Sequence, residues 1–248
     1  MKKHIKLIVF LLSLIVIFVT YNAFSKQNSK LIYIPLGDSI AEGVTPYNSV
    51  DYGYPDYIAD YLKKENKLDF YTKVFSKSGY TTQDLTNDIN NNKVIEVDGK
   101  KLYLKEILRE SDLLTLTIGA NNIIRGMSSS SIAIKLLDIS KFKKEVSEVT
   151  EEVKELIILI KKYAKNQIIV TGYFNPLPNL KEYKDQIDEM IKYYNNLIEE
   201  ICVELDVTYV DIFESLDKNP DSFPNPINIH PNKKGYELIS KEIIKNIE

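Results

Sequence analysis

The 248 residues include one cysteine, two histidines and nine glycines, and each of these shortages closes a class of function. The lone Cys202 excludes an internal disulfide, so the fold must be held by burial alone. It falls on the apolar face of a predicted helix and reads as a small buried hydrophobe, which leaves a thiol nucleophile without a site. With only His4 and His230 available, a multi-histidine metal centre is impossible. No Walker loop, dinucleotide-binding glycine pattern or internal repeat occurs, and no cofactor is expected.

What is present begins with an export pattern. The segment MKKHIK carries three lysines, and the LIVFLLSLIVIFVT that follows is apolar apart from Ser13 and Thr20. Residues 1–25 are therefore assigned to a signal peptide or an N-terminal membrane anchor, and 26–30 to a polar linker. Ala23-Phe24-Ser25 is a loose cleavage site and the apolar run Leu7–Phe24 approaches spanning length. Release and retention, the latter through a tether at residues 7–24 with the domain facing outward, are both open. In either case the remaining chain is extracytoplasmic. Removing Lys2, Lys3 and Lys6 turns 32 basic against 35 acidic residues into 29 against 35, a net charge of −6. A mildly acidic domain has no nucleic-acid footprint.

Residues 31–248 read as one domain. Compact apolar runs at 31–35, 70–75, 113–118, 167–173 and 207–213 have strand character. Helical patterns separate them, at 55–65, 81–89, 104–110, 141–165, 185–205 and, after the last run, 234–247. In the two long helices Phe142, Val146, Val149, Val153, Leu156, Ile157 and Ile160, and likewise Ile187, Met190, Ile191, Tyr194, Leu197, Ile198 and Ile201, recur at steps of three and four. Alternating strands and helices predict an α/β fold, a three-layer α/β/α sandwich with a five-stranded parallel sheet in the flavodoxin-like order 2-1-3-4-5. The stretches 44–55, 128–131 and 174–180 read as loops from their Gly, Pro, Asn and Ser content.

Ser39, in Gly37-Asp38-Ser39, ends the first strand, where open parallel sheets form their ligand crevice. Taken alone these residues equally suit a turn or a helix N-cap. Gly79 follows the second strand and Asn121 the third, so in the predicted order three neighbouring strand ends converge. Gly79 would bring an unshielded N–H and Asn121 a side-chain amide, the donors that an oxyanion hole requires. His230 is the only exported histidine and hence the only candidate imidazole base.

Four segments carry a resemblance: Gly37-Asp38-Ser39, Gly79, Gly119-Ala120-Asn121-Asn122 and IHPNKKGYELI at 229–239. In that order they resemble the four blocks of the SGNH/GDSL hydrolases, in particular the lysophospholipase L1-like and lipase/acylhydrolase proteins of Gram-positive bacteria. The resemblance implies an acyl-enzyme route for ester hydrolysis, with Ser39 as nucleophile, His230 as base, and an oxyanion hole from the Ser39 and Gly79 amides and the Asn121 side chain. It also implies a small-molecule, lipid or glycan ester as substrate. Two other readings stay open, an O-acetyl deacetylase of cell-surface glycan and a non-catalytic glycan- or lipid-binding module. The chain departs from the family twice. Asn122 stands where an Asp is usual, and Ile227 stands three residues before the histidine, where the family has its third triad member. The imidazole is then oriented by a main-chain carbonyl or by Asn225 or Asn228, by an Asp from elsewhere such as Asp211 or Asp221, or by nothing, leaving a weak enzyme. The first is favoured.

Overall fold

The computed structural model describes residues 30–125, 131 and 139–248. The predicted export segment 1–25, most of the linker and Ser128 to Ser130 lie outside the described residues, and Ser131 is helical.

Strands β1 (Leu31–Gly37) and β2 (Leu68–Tyr71) are followed by a hairpin of β3 (Val94–Val97) and β4 (Lys100–Tyr103), and then by β5 (Leu113–Thr117), β6 (Gln167–Thr171) and β7 (Thr208–Val210). The main sheet is parallel throughout with order β2-β1-β5-β6-β7, which is the predicted order when the hairpin is left out. Its central strands β1, β5 and β6 are buried along nearly their whole length because helices cover both faces. One helix group comprises α2 (Tyr54–Lys64), α8 (Phe213–Asp217) and α9 (Lys233–Ile244), with the short α1 (Ser39–Glu42) against α2. The other comprises α3 (Thr82–Asn90), α4 (Leu104–Glu110), α5 (Ala120–Ile124), α6 (Ile139–Lys161) and α7 (Lys184–Leu205).

The apolar stripe of α6 is buried from Phe142 to Ile160, and that of α7 buries Ile187, Met190, Tyr194, Ile198 and Ile201. Each such side chain contributes about 1.5–3 kcal/mol of transfer free energy. Cys202 joins them, its thiol pushed up to about 12 by burial, as expected of an inert core residue. The polar members of the sheet are paired. Tyr33 Oη meets Thr115 Oγ1 at 2.9 Å, Tyr54 Oη meets Thr117 Oγ1 at 3.0 Å, and Thr117 and Thr171 share a hydrogen bond of 2.8 Å.

Three strand expectations need correction. The edge strand β2 stops at Tyr71, and its continuation rejoins β1 at the Gly37–Ser76 bridge, where Ser76 Oγ also donates to the Pro35 carbonyl at 3.0 Å. β6 ends at Thr171: the Gly172 N–H still donates to the Val210 carbonyl at 3.0 Å, but Tyr173 turns its N–H onto Asn195 Oδ1 at 2.8 Å. β7 ends at Val210, since Asp211 turns its carboxylate onto the Phe213 N–H at 2.7 Å and starts α8. The β3–β4 hairpin was not anticipated. Its signal is Asp98-Gly99, both at positive φ (50° and 76°), the backbone that a tight two-residue hairpin turn demands.

Candidate active site

β1 delivers Ser39 through a constrained exit. At Gly37 (φ 141°) a Cβ would sit 2.0 Å from the Thr117 carbonyl oxygen, so the close approach of β5 excludes any side chain. Asp38 then caps α1, its Oδ1 accepting from the Ile40 N–H at 2.9 Å. The N-cap and nucleophile readings of Gly-Asp-Ser are therefore compatible, because they fall on different residues. The other carboxylate oxygen of Asp38 accepts from the Tyr173 hydroxyl at 2.6 Å, and that hydroxyl accepts from the Ala120 N–H at 3.3 Å. Asp38 is buried, and burial raises its carboxyl to about 6 against the lowering effect of these hydrogen bonds.

Gly79 is carried beside this exit by Lys77, whose N–H donates to the Gly37 carbonyl at 3.0 Å, and by Ser78, whose N–H donates to Glu42 Oε2 at 2.6 Å. Gly79 has φ 80°, and a Cβ there would meet nothing within 4 Å, so the backbone conformation alone calls for glycine. Among the described residues neither its N–H nor that of Ser39 has an acceptor. Asn121, in the first turn of α5, donates one Nδ2 hydrogen to the Tyr80 carbonyl at 3.0 Å and lines the same cavity as Ser39. Neighbouring Asn122 accepts from the Thr82 N–H at 3.1 Å and donates to Thr82 Oγ1 and Glu152 Oε2, both at 2.6 Å. An aspartate in its place would face the Glu152 carboxylate, which accounts for the amide.

His230 precedes α9 in a loop. Its Nε2 lies 2.8 Å from Ser39 Oγ and its Nδ1 lies 2.7 Å from Asn228 Oδ1. Asn228 Oδ1 also accepts from the His230 main-chain N–H at 2.9 Å. Among the predicted orienters, Asn228 therefore reaches the ring and the others do not. Asn225 must be corrected, because its Nδ2 donates to the Pro46 carbonyl at 2.8 Å and its Oδ1 holds the Ile227 N–H at 3.2 Å. Asp211 accepts from the Phe213 N–H at the start of α8, and Asp221 pairs with Lys234 at 2.8 Å on the surface. Ile227 is 79% exposed and turned away from the site. Burial lowers the imidazole to about 4, and among the described residues no carboxylate is hydrogen-bonded to it.

An apolar cavity adjoins Ser39, formed by Ile40, Ile123, Ile124, Phe142, Phe174, Ile191 and Ile229, with Asp38, Asn121 and Tyr173 at its polar end. Among the described residues no cluster of His, Cys, Asp and Glu could hold a metal ion, and none of their helices is long and apolar enough to cross a membrane. Sequence reasoning did not find Tyr173 or Asn48, the hydrogen-bond partner of Asn228. Nothing marks Tyr173 among seventeen tyrosines, and Asn48 is one polar residue of a polar loop.

A serine hydroxyl thus lies against an imidazole at the carboxyl edge of a parallel sheet, the edge where open α/β sheets form their ligand crevice. Residues 36–238 match the GDSL-like lipase/acylhydrolase family, so the chain belongs to that family and is a hydrolase of ester bonds. Among solved structures it is similar to the lipase Lip_vut3 from a goat rumen metagenome, at 18% identity and TM-score 0.70, covering 87% of this chain and 97% of that one. It is also similar to a catalytic mutant of Axe2, an acetylxylan esterase from Geobacillus stearothermophilus, at 17% identity and TM-score 0.60, covering 88% and 94%. At these identities both show the fold alone. No curated protein matches the chain.

Proposed function

We propose that the protein is an extracytoplasmic carboxylic ester hydrolase whose Ser39 forms an acyl-enzyme, with a preference for esters carrying an aliphatic acyl chain. The observation that carries this reading is the 2.8 Å contact between Ser39 Oγ and His230 Nε2 at the mouth of an apolar cavity. Ser39 Oγ attacks the ester carbonyl carbon while His230 Nε2 takes its proton. The carbonyl oxygen becomes an oxyanion held by the N–H groups of Ser39 and Gly79 and the free Nδ2 hydrogen of Asn121. The C–O bond to the alcohol then breaks, and His230 returns the proton to the departing alkoxide. A water molecule deprotonated by His230 hydrolyses the acyl-enzyme by the same path, releasing the acid and restoring Ser39. The apolar cavity favours acyl chains over acetyl groups, because each buried methylene is worth about 0.8 kcal/mol, roughly fourfold in kcat/KM. The lysine-led apolar segment at residues 2–24 supports export, with cleavage and tethering both compatible with it.

A p-nitrophenyl ester series from acetate to octanoate tests the reading. The expected result is a rise of kcat/KM beyond acetate and its loss by about 10³-fold or more in Ser39→Ala, with a fluorophosphonate labelling Ser39 in the native protein. Equal rates for native and Ser39→Ala protein, together with no labelling, would overturn it. Activity confined to acetate would instead place the enzyme among deacetylases.

A further inference from the structure

A carboxylate that orients a catalytic histidine has two equivalent oxygens, and turning it by half a revolution changes nothing. An asparagine in that role has one acceptor end and one donor end of nearly the same shape. With Asn228 beside His230 the function of the site therefore depends on which end faces the ring. With Oδ1 inward, Nδ1 carries the proton and Nε2 is free to accept the proton of Ser39. With Nδ2 inward, Nδ1 must accept, the ring proton moves to Nε2, and Nε2 donates to Ser39 Oγ and cannot act as its base.

Two contacts select the orientation. Asn228 Oδ1 accepts from the His230 main-chain N–H at 2.9 Å as well as from Nδ1 at 2.7 Å, and a reversed amide would set a donor against that N–H. At its other end Asn228 Nδ2 donates to Asn48 Oδ1 at 2.7 Å. Asn228 is buried, so that Nδ2 hydrogen has little access to water as a substitute.

Asn48 is well built to receive it. It sits at φ 61°, a left-handed position that asparagine tolerates better than most residues, in a closed loop with a 3.0 Å bond from its own N–H to the Thr45 carbonyl and a Val44–Val50 bridge at the loop's base. A second asparagine contact, from Asn225 Nδ2 to the Pro46 carbonyl at 2.8 Å, docks the same loop onto the histidine segment.

We propose that Asn48 is a positioning residue that holds the Asn228 amide oxygen-inward and so keeps His230 in the Nδ1–H tautomer. This rests on the Ser39–His230 reading above for its consequence in catalysis, while the tautomer itself can be observed without turnover. The chain has only two histidines, so ¹⁵N-histidine labelling of the full-length protein gives two ring systems, assigned with His4→Gln. Long-range ¹H–¹⁵N spectra then show which ring nitrogen of His230 is protonated.

The native protein is expected to show Nδ1–H. Asn48→Gly keeps the left-handed backbone accessible and removes the acceptor. It should populate the Nε2–H form and lower kcat by about three- to tenfold with KM little changed, the size expected for one neutral hydrogen bond. Asn48→Asp retains an acceptor and should restore both the tautomer and kcat. A native-like spectrum and kcat in Asn48→Gly, or an Asn48→Asp protein as impaired as Asn48→Gly, would overturn the proposal. If Ser39→Ala leaves activity intact, the hydrolase reading at Ser39 fails, and the spectra still decide the role of Asn48.

Discussion

The two halves of the site are built from different materials. The serine half is embedded in regular structure, with Ser39 opening helix α1 directly after strand β1 and the buried aspartate that caps the helix. The histidine half is a loop held by neutral amides, Asn228 and, behind it, Asn48. The buried carboxylate beside the nucleophile, Asp38, is fully engaged with the Ile40 N–H and the Tyr173 hydroxyl and does not touch the imidazole. His230 is thus oriented by a dipole where a charge is usual in the family. In the proposed mechanism, orientation and charge stabilisation, which one aspartate would supply together, are separated, and the amide performs only the first.

The comparison can be sharpened at Asn228. Asn228→Ala should lower kcat/KM by about 10²-fold by releasing the ring, while Asn228→Asp should raise it about tenfold by adding charge to orientation. Steady-state kinetics on one p-nitrophenyl ester decide this. A slower Asn228→Asp enzyme would mean that the neutral partner is required.

The pH profile separates the same two contributions. With the imidazole near 4, the acid limb of kcat/KM should fall near pH 4 in the native enzyme, well below the ordinary histidine value of about 6.5. In Asn228→Asp it should move upward, toward the ordinary range. A native acid limb already between 6 and 7 would contradict the burial of a neutral ring.

The smallest effects concern stability. His230 is lowered from 6.5 to about 4, so on acidification the unfolded chain takes up a proton first and stability is lost between those values. Asp38 is raised from 3.8 to about 6, so the folded state binds its proton first and stability is gained as pH falls across nearly the same window. The two largely cancel. Native Tm should therefore vary little from these groups between pH 6 and 4, whereas His230→Gln, which removes one side of the balance, should gain Tm on acidification. A native-like flat Tm in His230→Gln would show that Asp38 does not titrate in this range.

Much of the molecule was legible because its signals are local. The helical spacing from Phe142 to Ile160 and the apolar runs at 31–35 and 113–118 report burial directly, and their alternation leaves few topologies for a parallel sheet. The hairpin was equally legible in Asp98-Gly99 but lay within a stretch without a strong apolar pattern. Strand ends were less so, since β6 and β7 stop where side chains such as Asn195 and Asp211 take over main-chain N–H groups. In the site, Ser39 and His230 stood out by residue type and scarcity, whereas the choice among Asn225, Asn228, Asp211 and Asp221 depended on which of them points at the ring.

By itself the sequence determined the fold class, the order of the strands and which serine and histidine to look for at the sheet edge, because hydrophobic periodicity and the scarcity of histidine are properties of the chain. Tertiary structure alone decided what stands behind His230. Asn228 is separated from Asn48 by 180 positions in the chain, and their hydrogen bond exists only because two loops from opposite ends of the domain are folded against each other. Hydrogen bonds of that kind are set by direction and by distances of about 3 Å, and no spacing along the chain encodes either.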